Sequence, residues 1–144
     1  MTTFLLDANV LIALIDPAHV QHDDAHAWFA AEGRHAWATC PLTENAVLRI
    51  VGHARYPNTP GSPAAVAPLL ARFHMLPGHH FWADDISAVD GGHLDTSRLL
   101  SASQVTDTYL LALVRSQGGT LATFDRRLVT EAVQDGRRHL HLIA

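Results

Sequence analysis

The sequence predicts an α/β fold, with a five-stranded parallel β-sheet between two layers of helices in a three-layer α/β/α arrangement. Short apolar or aromatic segments alternate along the chain with longer segments of helical periodicity. The length of 144 residues suits one domain with a substantial core, and no repeat, linker or low-complexity tract divides it. We therefore expect a single domain over residues 1–144.

Five short segments are the predicted strands, because they are apolar or aromatic and lie between longer helical patterns. In chain order they are FLL (4–6), AWATC (36–40), HFWA (80–83), TLATF (120–124) and HLHLIA (139–144). The helical patterns cover residues 10–15, 20–31, 43–52, 62–73 and 104–117. This alternation of strands and helices is what predicts a parallel sheet.

Residues that begin and end helices support several of these boundaries. Ser62 before Pro63 favours a helix start, Ser103 can cap the last helix, and the motif QGGT ends it. The longest connection, GHARYPNTPGSP at 52–63, is expected to be a mobile loop of the kind that carries binding residues. For residues 86–102 the sequence predicts only short helical turns.

The composition favours a cytoplasmic protein without a membrane span. Cys40 is the only cysteine, which excludes an intrachain disulfide, suits a reducing compartment and predicts a small buried core residue. No apolar run approaches the ~20 residues that cross a bilayer. The net charge of −4 argues against a generally basic surface for nucleic acid, and the absence of lysine excludes lysine-dependent chemistry.

Four acidic residues are predicted to meet at the carboxyl edge of the sheet, where its parallel strands end. Asp7 follows the first strand, Glu44 the second and Asp125 the fourth, and Asp107 lies near the N-terminal end of the last helix. Ligands of open parallel sheets bind at this edge. Several carboxylates there need a counter-cation, and without lysine the natural one is Mg²⁺ or Mn²⁺. Such an ion can activate water for attack on a phosphodiester.

The motifs LLDANVLIAL, TENAVLRI, VTDTYLLALV and LATFDRRL follow one another across almost the full chain. With them the sequence resembles a PIN domain, and more narrowly the VapC-type toxin ribonucleases of bacterial toxin–antitoxin modules. The resemblance implies strand order 3-2-1-4-5, a metal site of the four acids, and metal-dependent endoribonuclease activity. It also implies supporting or water-orienting roles for Asn9 and Thr123, whereas Asp84 and Asp85 match no catalytic position.

Within the implied site, Asp7 and Asp107 bind the metal most directly, and Asp125 and Glu44 complete the coordination directly or through water. The same resemblance implies an RNA substrate, a homodimer, and a cognate VapB-type antitoxin whose C-terminal segment covers the acidic groove.

Several of these assignments have a simpler structural alternative. Asp7 taken alone can be a turn or helix cap. Arg49 and Arg126 are assigned to the RNA backbone from position alone, and solvated helix charges are the alternative. His22 and His26, four residues apart, resemble a pair of zinc ligands, but without a third ligand or a glutamate base they are interpreted as a solvated helix face.

Two other functions remain as alternatives. A haloacid dehalogenase-like aspartyl-phosphate phosphatase also has an aspartate after its first strand, but its second aspartate is replaced here by Asn9 and its lysine is absent. A non-catalytic PIN-like binding module is disfavoured because all four acids are present.

Overall fold

The structure is a computed structural model that describes all 144 residues, Met1–Ala144. The strands are β1 (Phe4–Leu6), β2 (Trp37–Thr39), β3 (His79–Phe81), β4 (Thr120–Thr123) and β5 (Leu140–Leu142). The helices are α1 (Ala8–Ile15), α2 (His22–Ala31), α3 (Pro41–Val51), α4 (Pro63–His74) and α5 (Val105–Gln117). Short 3₁₀ turns lie at Gly33–His35, Thr96–Arg98, Ala102–Gln104 and Gly136–His139. None of the helices has the length and apolar composition that a membrane span requires.

All five strands are parallel and lie in the order β3-β2-β1-β4-β5, which confirms the predicted sheet. The central strand β1 pairs with β2 on one side and with β4 on the other. The strand order reverses between β1 and β4, so the topological switch point lies there. The residues that follow β1 and β4 therefore flank the position where open α/β sheets bind their ligands.

Successive residues of the central strands face opposite sides of the sheet, as the two-residue period of a strand requires. In β1, Leu6 packs into a core with α1, α2, α3 and α4, whereas Leu5 packs into a second core with α5. Trp37 and Ala38 of β2 divide in the same way. The predicted three layers are present, but unevenly, because four helices cover one face and α5 shares the other with irregular segments.

The predicted mobile loop at 52–63 is attached to the end of α1. The Tyr56 hydroxyl donates a hydrogen bond to the carboxylate of Asp16, and the Asn58 side-chain amide donates to the same oxygen at 3.0 Å. Asp16 is buried, so these donors replace water around its charge. The middle of the loop is therefore held against the domain, contrary to the expectation of a mobile connection.

The predicted start of α4 is confirmed, because the Ser62 side chain accepts a hydrogen bond from the backbone N–H of Ala65. The predicted cap of α5 is wrong. Ser101, not Ser103, forms the capping box before α5, with Gln104 as its partner. The turns within residues 86–102 reduce to the 3₁₀ turn at Thr96–Arg98 and the start of the next one.

The interpretation of His22 and His26 as a solvated face is also incomplete. His22 Nδ1 lies 2.7 Å from the carbonyl oxygen of Ala13, and His26 Nε2 lies 2.8 Å from that of Leu14. Carbonyls in the last turn of a helix have no partner within it. The two histidines therefore satisfy carbonyls at the C-terminal end of α1, which is a structural role.

Candidate active site

Asp7 lies where β1 ends and α1 begins. It is 6% exposed, and its Oδ1 accepts a hydrogen bond from the backbone N–H of Ala8 at 2.7 Å, which makes it the N-cap of α1. Its Oδ2 accepts a hydrogen bond from the Thr123 hydroxyl at 2.8 Å. Burial raises the pKa of Asp7, these two hydrogen bonds oppose the rise, and the negative charge of Asp125 adds to it. Asp7 is therefore a helix cap that also belongs to an anionic centre.

Thr123 and Asn9 join the ends of β4 and β1. The buried Thr123 hydroxyl accepts hydrogen bonds from the Asn9 side-chain amide at 3.0 Å and from the backbone N–H of Asp125 at 3.1 Å, while it donates to Asp7. Asn9 Oδ1 accepts a hydrogen bond from the backbone N–H of Phe124 at 3.2 Å. These contacts fix the position of Asp125 relative to Asp7.

Asp107 and Asp125 approach Asp7 from the other side of the switch point. Asp107 lies in the first turn of α5. Asp125 follows β4, and its Oδ1 accepts a hydrogen bond from the backbone N–H of Arg127 at 2.9 Å. Burial raises the pKa of Asp107 to about 6, with further contributions from the negative charges of Asp7 and Asp125. The ion pairs of the chain include none of these three aspartates. Three carboxylates thus act on one another without a neutralising side chain.

Glu44, in the first turn of α3, lies in a different environment. Its Oε2 accepts a hydrogen bond from the Thr39 hydroxyl at 2.8 Å and is 2.9 Å from His74 Nε2. The charge of Glu44 is not among the causes of the raised pKa of Asp7 or Asp107. Asp7, Asp107 and Asp125 are therefore within electrostatic reach of one another, whereas Glu44 lies among donors from β2 and α4.

The residues around Glu44 were not predicted from the sequence. His79 Nε2 lies 2.8 Å from the Thr39 hydroxyl oxygen, and the rings of His79 and His74 stack with their centroids 4.3 Å apart. Burial, together with the smaller effects of the neighbouring His74 and His80, lowers the pKa of His79 to about 4, so this ring is neutral at pH 7. No spacing in the sequence indicates this group, because its members lie far apart along the chain.

Asp84, which was not predicted to belong to the site, contacts the N-terminal end of α3. Asp84 Oδ2 accepts a hydrogen bond from the backbone N–H of Leu42 at 2.9 Å. A carboxylate at this end of a helix satisfies a free N–H and is favoured by the helix dipole. Asp84 therefore fixes the turn that carries Glu44, although it matches no catalytic position.

Arg49 and Arg126 are exposed on opposite sides of the site. Arg49 lies on α3 and lines a cleft of about 490 Å³ with His53 and Pro63, among others. Arg126 lines a cleft of about 500 Å³ together with Arg127 and Arg137. Neither Arg49 nor Arg126 forms an ion pair or a side-chain hydrogen bond within the chain. Both guanidinium groups are available to an external anion.

The three aspartates offer the oxygen donors that a hard divalent cation requires. No group of three or more histidine, cysteine, aspartate or glutamate side chains is arranged so that all of them could hold one metal ion. Mg²⁺ does not need such a group, because it keeps several waters and is commonly bound through one or two carboxylates. The uncompensated charge of Asp7, Asp107 and Asp125 therefore fits Mg²⁺ or Mn²⁺ in an open, hydrated site.

The largest cavity of the molecule lies elsewhere. Its volume is about 610 Å³, and residues 91–96 and 131–135 form most of its lining, together with Arg98 and Arg115. It contains none of the predicted site residues. Cavity size thus does not locate the acidic centre, which is an open edge of the sheet.

Comparison with known proteins identifies the family. The model of the family described as "PIN domain" matches residues 4–132. Ribonuclease VapC44 of Mycobacterium tuberculosis is 42% identical over 137 residues, which cover 94% of this chain and 96% of the relative. Ribonuclease VapC39 of the same organism is 40% identical over 130 residues, which cover 90% of this chain and 94% of the relative.

Solved structures agree on the fold. The crystal structure of VapC20 of Mycobacterium tuberculosis, described as a sarcin–ricin loop cleaving toxin, covers 86% of this chain and 91% of its own, with a TM-score of 0.61 and 15% identity. VapBC2 of Rickettsia felis, bound to a DNA fragment from its promoter, covers 99% of both chains, with a TM-score of 0.56 and 12% identity. At these identities the likeness concerns the fold alone. Together with the sequence relatives and the family match, it shows that the chain belongs to the PIN domain family and, within that family, to the VapC-type ribonucleases.

Proposed function

We propose that this protein is an Mg²⁺- or Mn²⁺-dependent endoribonuclease, the toxin of a VapBC-type toxin–antitoxin system, acting as one PIN domain over residues 1–144. One observation carries the metal dependence. Asp107 has its pKa raised to about 6 by burial and by the charges of Asp7 and Asp125, and no cationic side chain of the protein neutralises the group. A divalent cation supplies the missing positive charge.

In this proposal the four acids have different roles in binding the ion. Asp7 and Asp107 bind the ion most directly, and Asp125 and Glu44 complete the site directly or through water. When bound, the ion supplies Lewis-acid chemistry, which lowers the pKa of water and stabilises the charge that develops on the phosphate. Asp125 orients the attacking water, and Thr123 with Asn9 keeps Asp125 and Asp7 in register through their hydrogen bonds.

Arginine side chains hold the RNA backbone in the proposed complex. Arg126 directly follows Asp125 and shares its cleft with Arg127 and Arg137, so three guanidinium groups line one cleft. Arg49 lies on α3, the helix that carries Glu44, and contacts the RNA backbone on that side. Guanidinium groups bind phosphate oxygens in a bidentate manner. They supply locally the attraction for RNA that a net charge of −4 does not.

The biological role rests on the relatives. The VapC20 structure is described as that of a toxin, and the Rickettsia felis structure contains a VapB–VapC pair. By the same relationship we propose a cognate VapB-type antitoxin, a homodimer and a cytoplasmic location. The single buried cysteine is compatible with a reducing compartment.

The phosphatase alternative has no support at Asn9. The side chain of Asn9 is used in hydrogen bonds to Thr123 and to the backbone N–H of Phe124, and the chain has no lysine to hold a phosphoryl group. A binding module without activity does not need three uncompensated aspartates at the switch point.

Cleavage of single-stranded RNA by the purified protein tests the proposal. We expect cleavage in Mg²⁺ or Mn²⁺, loss of cleavage in EDTA, and recovery when the ion is restored in excess. Cleavage that persists unchanged in EDTA contradicts metal dependence. For the toxin role, growth arrest on expression should be relieved by co-expression of the neighbouring antitoxin gene.

A further inference from the structure

The two oxygens of the Glu44 carboxylate have unequal surroundings. Oε2 is contacted twice, by the Thr39 hydroxyl at 2.8 Å and by His74 Nε2 at 2.9 Å. No hydrogen bond within the protein reaches Oε1. The side chain of Glu44 is 23% exposed, so its free oxygen keeps access to water. One oxygen is thus fixed and the other is open.

The hydrogen positions follow from the acceptors. An ionised carboxylate can only accept, so Thr39 must donate its single proton to Glu44, and His74 must carry a proton on Nε2. The Thr39 oxygen then accepts from His79 Nε2, 2.8 Å away, which requires the Nε2–H tautomer of that ring. The donors form a directed chain from His79 through Thr39 to Glu44, with His74 as a second donor, whose Nε2 also lies 3.5 Å from the Thr39 hydroxyl oxygen.

Rigid elements carry these donors. Thr39 is the last residue of β2 and has no exposed surface. His79 begins β3 and is paired in register with Trp37 of β2, and its ring lies 4.6 Å from that of Trp37. His74 ends α4, and its ring stacks on His79 at an interplanar angle of 15°. Because the sheet and the stacked rings set these positions, the orientation of the Glu44 carboxylate is fixed before any ligand binds.

We infer that Thr39 and His74 are positioning residues, which hold Oε2 of Glu44 and thereby present Oε1 to the divalent ion or to its bound water. This inference rests on the proposed function of the four acids. Hydrogen bonds to ligating carboxylates orient them, and loss of such partners typically weakens metal affinity by about 10- to 100-fold. The His74–Glu44 pair is partly exposed, so its value lies in orientation and not in ion-pair energy.

Binding of Mn²⁺ to the full-length protein, followed by isothermal titration calorimetry, tests this inference without RNA. Thr39→Val keeps the shape of the side chain and removes the hydroxyl, and His74→Leu removes the second donor. We expect each to weaken Mn²⁺ binding by about 10-fold. Thr39→Ser and His74→Gln, which retain a donor, should restore affinity to near the wild-type value.

The Glu44→Gln background separates positioning from general damage. If Thr39 acts through the Glu44 carboxylate, Thr39→Val should cause no further loss of Mn²⁺ affinity in Glu44→Gln protein. Equal losses in both backgrounds, or wild-type affinity in both Thr39→Val and His74→Leu, overturn the inference. The partly exposed His74 provides the test if Thr39→Val does not fold.

Asp7→Asn distinguishes this inference from the proposed function. If Asp7→Asn abolishes Mn²⁺ binding while Thr39→Val and His74→Leu leave it intact, only the positioning role fails. Wild-type protein that binds no Mn²⁺ contradicts both. Strong binding that depends on Thr39, His74 and Asp7 supports both.

Discussion

Two buried threonines, one on each side of the carboxyl edge, perform the same local task in different surroundings. Thr39 ends β2 and donates to Glu44 at 2.8 Å, and Thr123 ends β4 and donates to Asp7 at 2.8 Å. Neither threonine has exposed surface. A hydroxyl on the last residue of a buried strand is thus used twice to orient an acid at the carboxyl edge of the sheet.

The partners beyond the threonines differ. On the side of Asp7 the neighbouring charges are Asp107 and Asp125, both negative, so burial and repulsion raise the pKa values of Asp7 and Asp107. On the side of Glu44 the neighbours are histidines that donate to the carboxylate or to its partner. Only on the aspartate side do carboxylates act on one another, and a bound cation would relieve their repulsion there.

The largest expected effect follows from removing charge on the aspartate side. Asp7→Asn should lower the rate of RNA cleavage by about 1,000-fold, the equivalent of roughly 4 kcal/mol, because the ion loses a ligand. Glu44→Gln should lower the rate of RNA cleavage less, by about 10- to 100-fold, because the charge of Glu44 does not act on Asp7 or Asp107. Single-turnover kinetics at saturating Mn²⁺ measure both.

Asp85→Asn, at an exposed aspartate outside the site, is the matched control and should cleave at the wild-type rate. A loss with Glu44→Gln greater than that with Asp7→Asn reverses the proposed division between the two sides.

Removing each threonine hydroxyl gives the next effect. Thr123→Val should destabilise the metal-free protein by about 2 kcal/mol, because the hydroxyl serves Asp7, Asn9 and the backbone N–H of Asp125, all in a buried site. Thr39→Val should cost about 1 kcal/mol, since Glu44 keeps His74 as a donor. Urea unfolding at pH 7 measures both.

The serine variants keep the hydroxyl and serve as controls at each position. A Thr123→Val protein as stable as wild type, with the loss confined to Thr123→Ser, means that the methyl group, and not the hydrogen bonds, stabilises this site.

Neutralising Asp107 should stabilise the metal-free protein. Its pKa is raised to about 6 from an ordinary 3.8, so Asp107→Asn removes an unfavourable charge. After allowance for solvent screening we expect a gain of about 1–2 kcal/mol at pH 7, or a few degrees in the melting temperature. The added stabilisation by Mg²⁺ should shrink in the variant.

The raised pKa of Asp107 also predicts how the stability of the metal-free protein changes with pH. The folded-state pKa lies above the unfolded value, so the folded state binds more protons between about pH 4 and pH 6. Metal-free wild type should lose stability as the pH rises through this window, relative to Asp107→Asn, and the two should converge below about pH 4. A variant that melts lower than wild type at every pH indicates that Asp107 is a structural residue.

The aspartate side could be predicted from the sequence because its signals are local. Asp7 directly follows an apolar strand, Asp125 follows another, and both strands lie at the centre of the sheet. The strand boundaries were predicted to within two residues of the structure for β1 and β4. A residue next to a strand end takes its position from the sheet, and the resemblance to the PIN domain supplied the order of the strands.

The histidine partners of Glu44 could not be predicted, because their positions depend on contacts between distant segments. His79 reaches Thr39 through the register of β3 on β2, and His74 reaches Glu44 because α4 packs against α3. Neither contact leaves a spacing in the sequence. His22 and His26 show the opposite error: their spacing suggested a helix face, while the carbonyls they satisfy belong to another helix.

The smallest expected effects follow from replacing the arginines. These variants test whether RNA binds on the aspartate side, on the side of Glu44, or on both. Arg126→Gln on the aspartate side and Arg49→Gln on the side of Glu44 should each raise KM a few-fold, with kcat nearly unchanged. Each should also make the dependence of log(kcat/KM) on log salt shallower by about 0.7, the value for one phosphate contact on a single strand. Arg34→Gln is the control, because Arg34 precedes β2 and so lies at the opposite edge of the sheet. If only Arg126→Gln changes the salt slope, RNA follows the cleft of Arg126, Arg127 and Arg137. If neither arginine differs from Arg34, the backbone contacts assigned to them are wrong, and the bound cation with its waters must supply the attraction for phosphate.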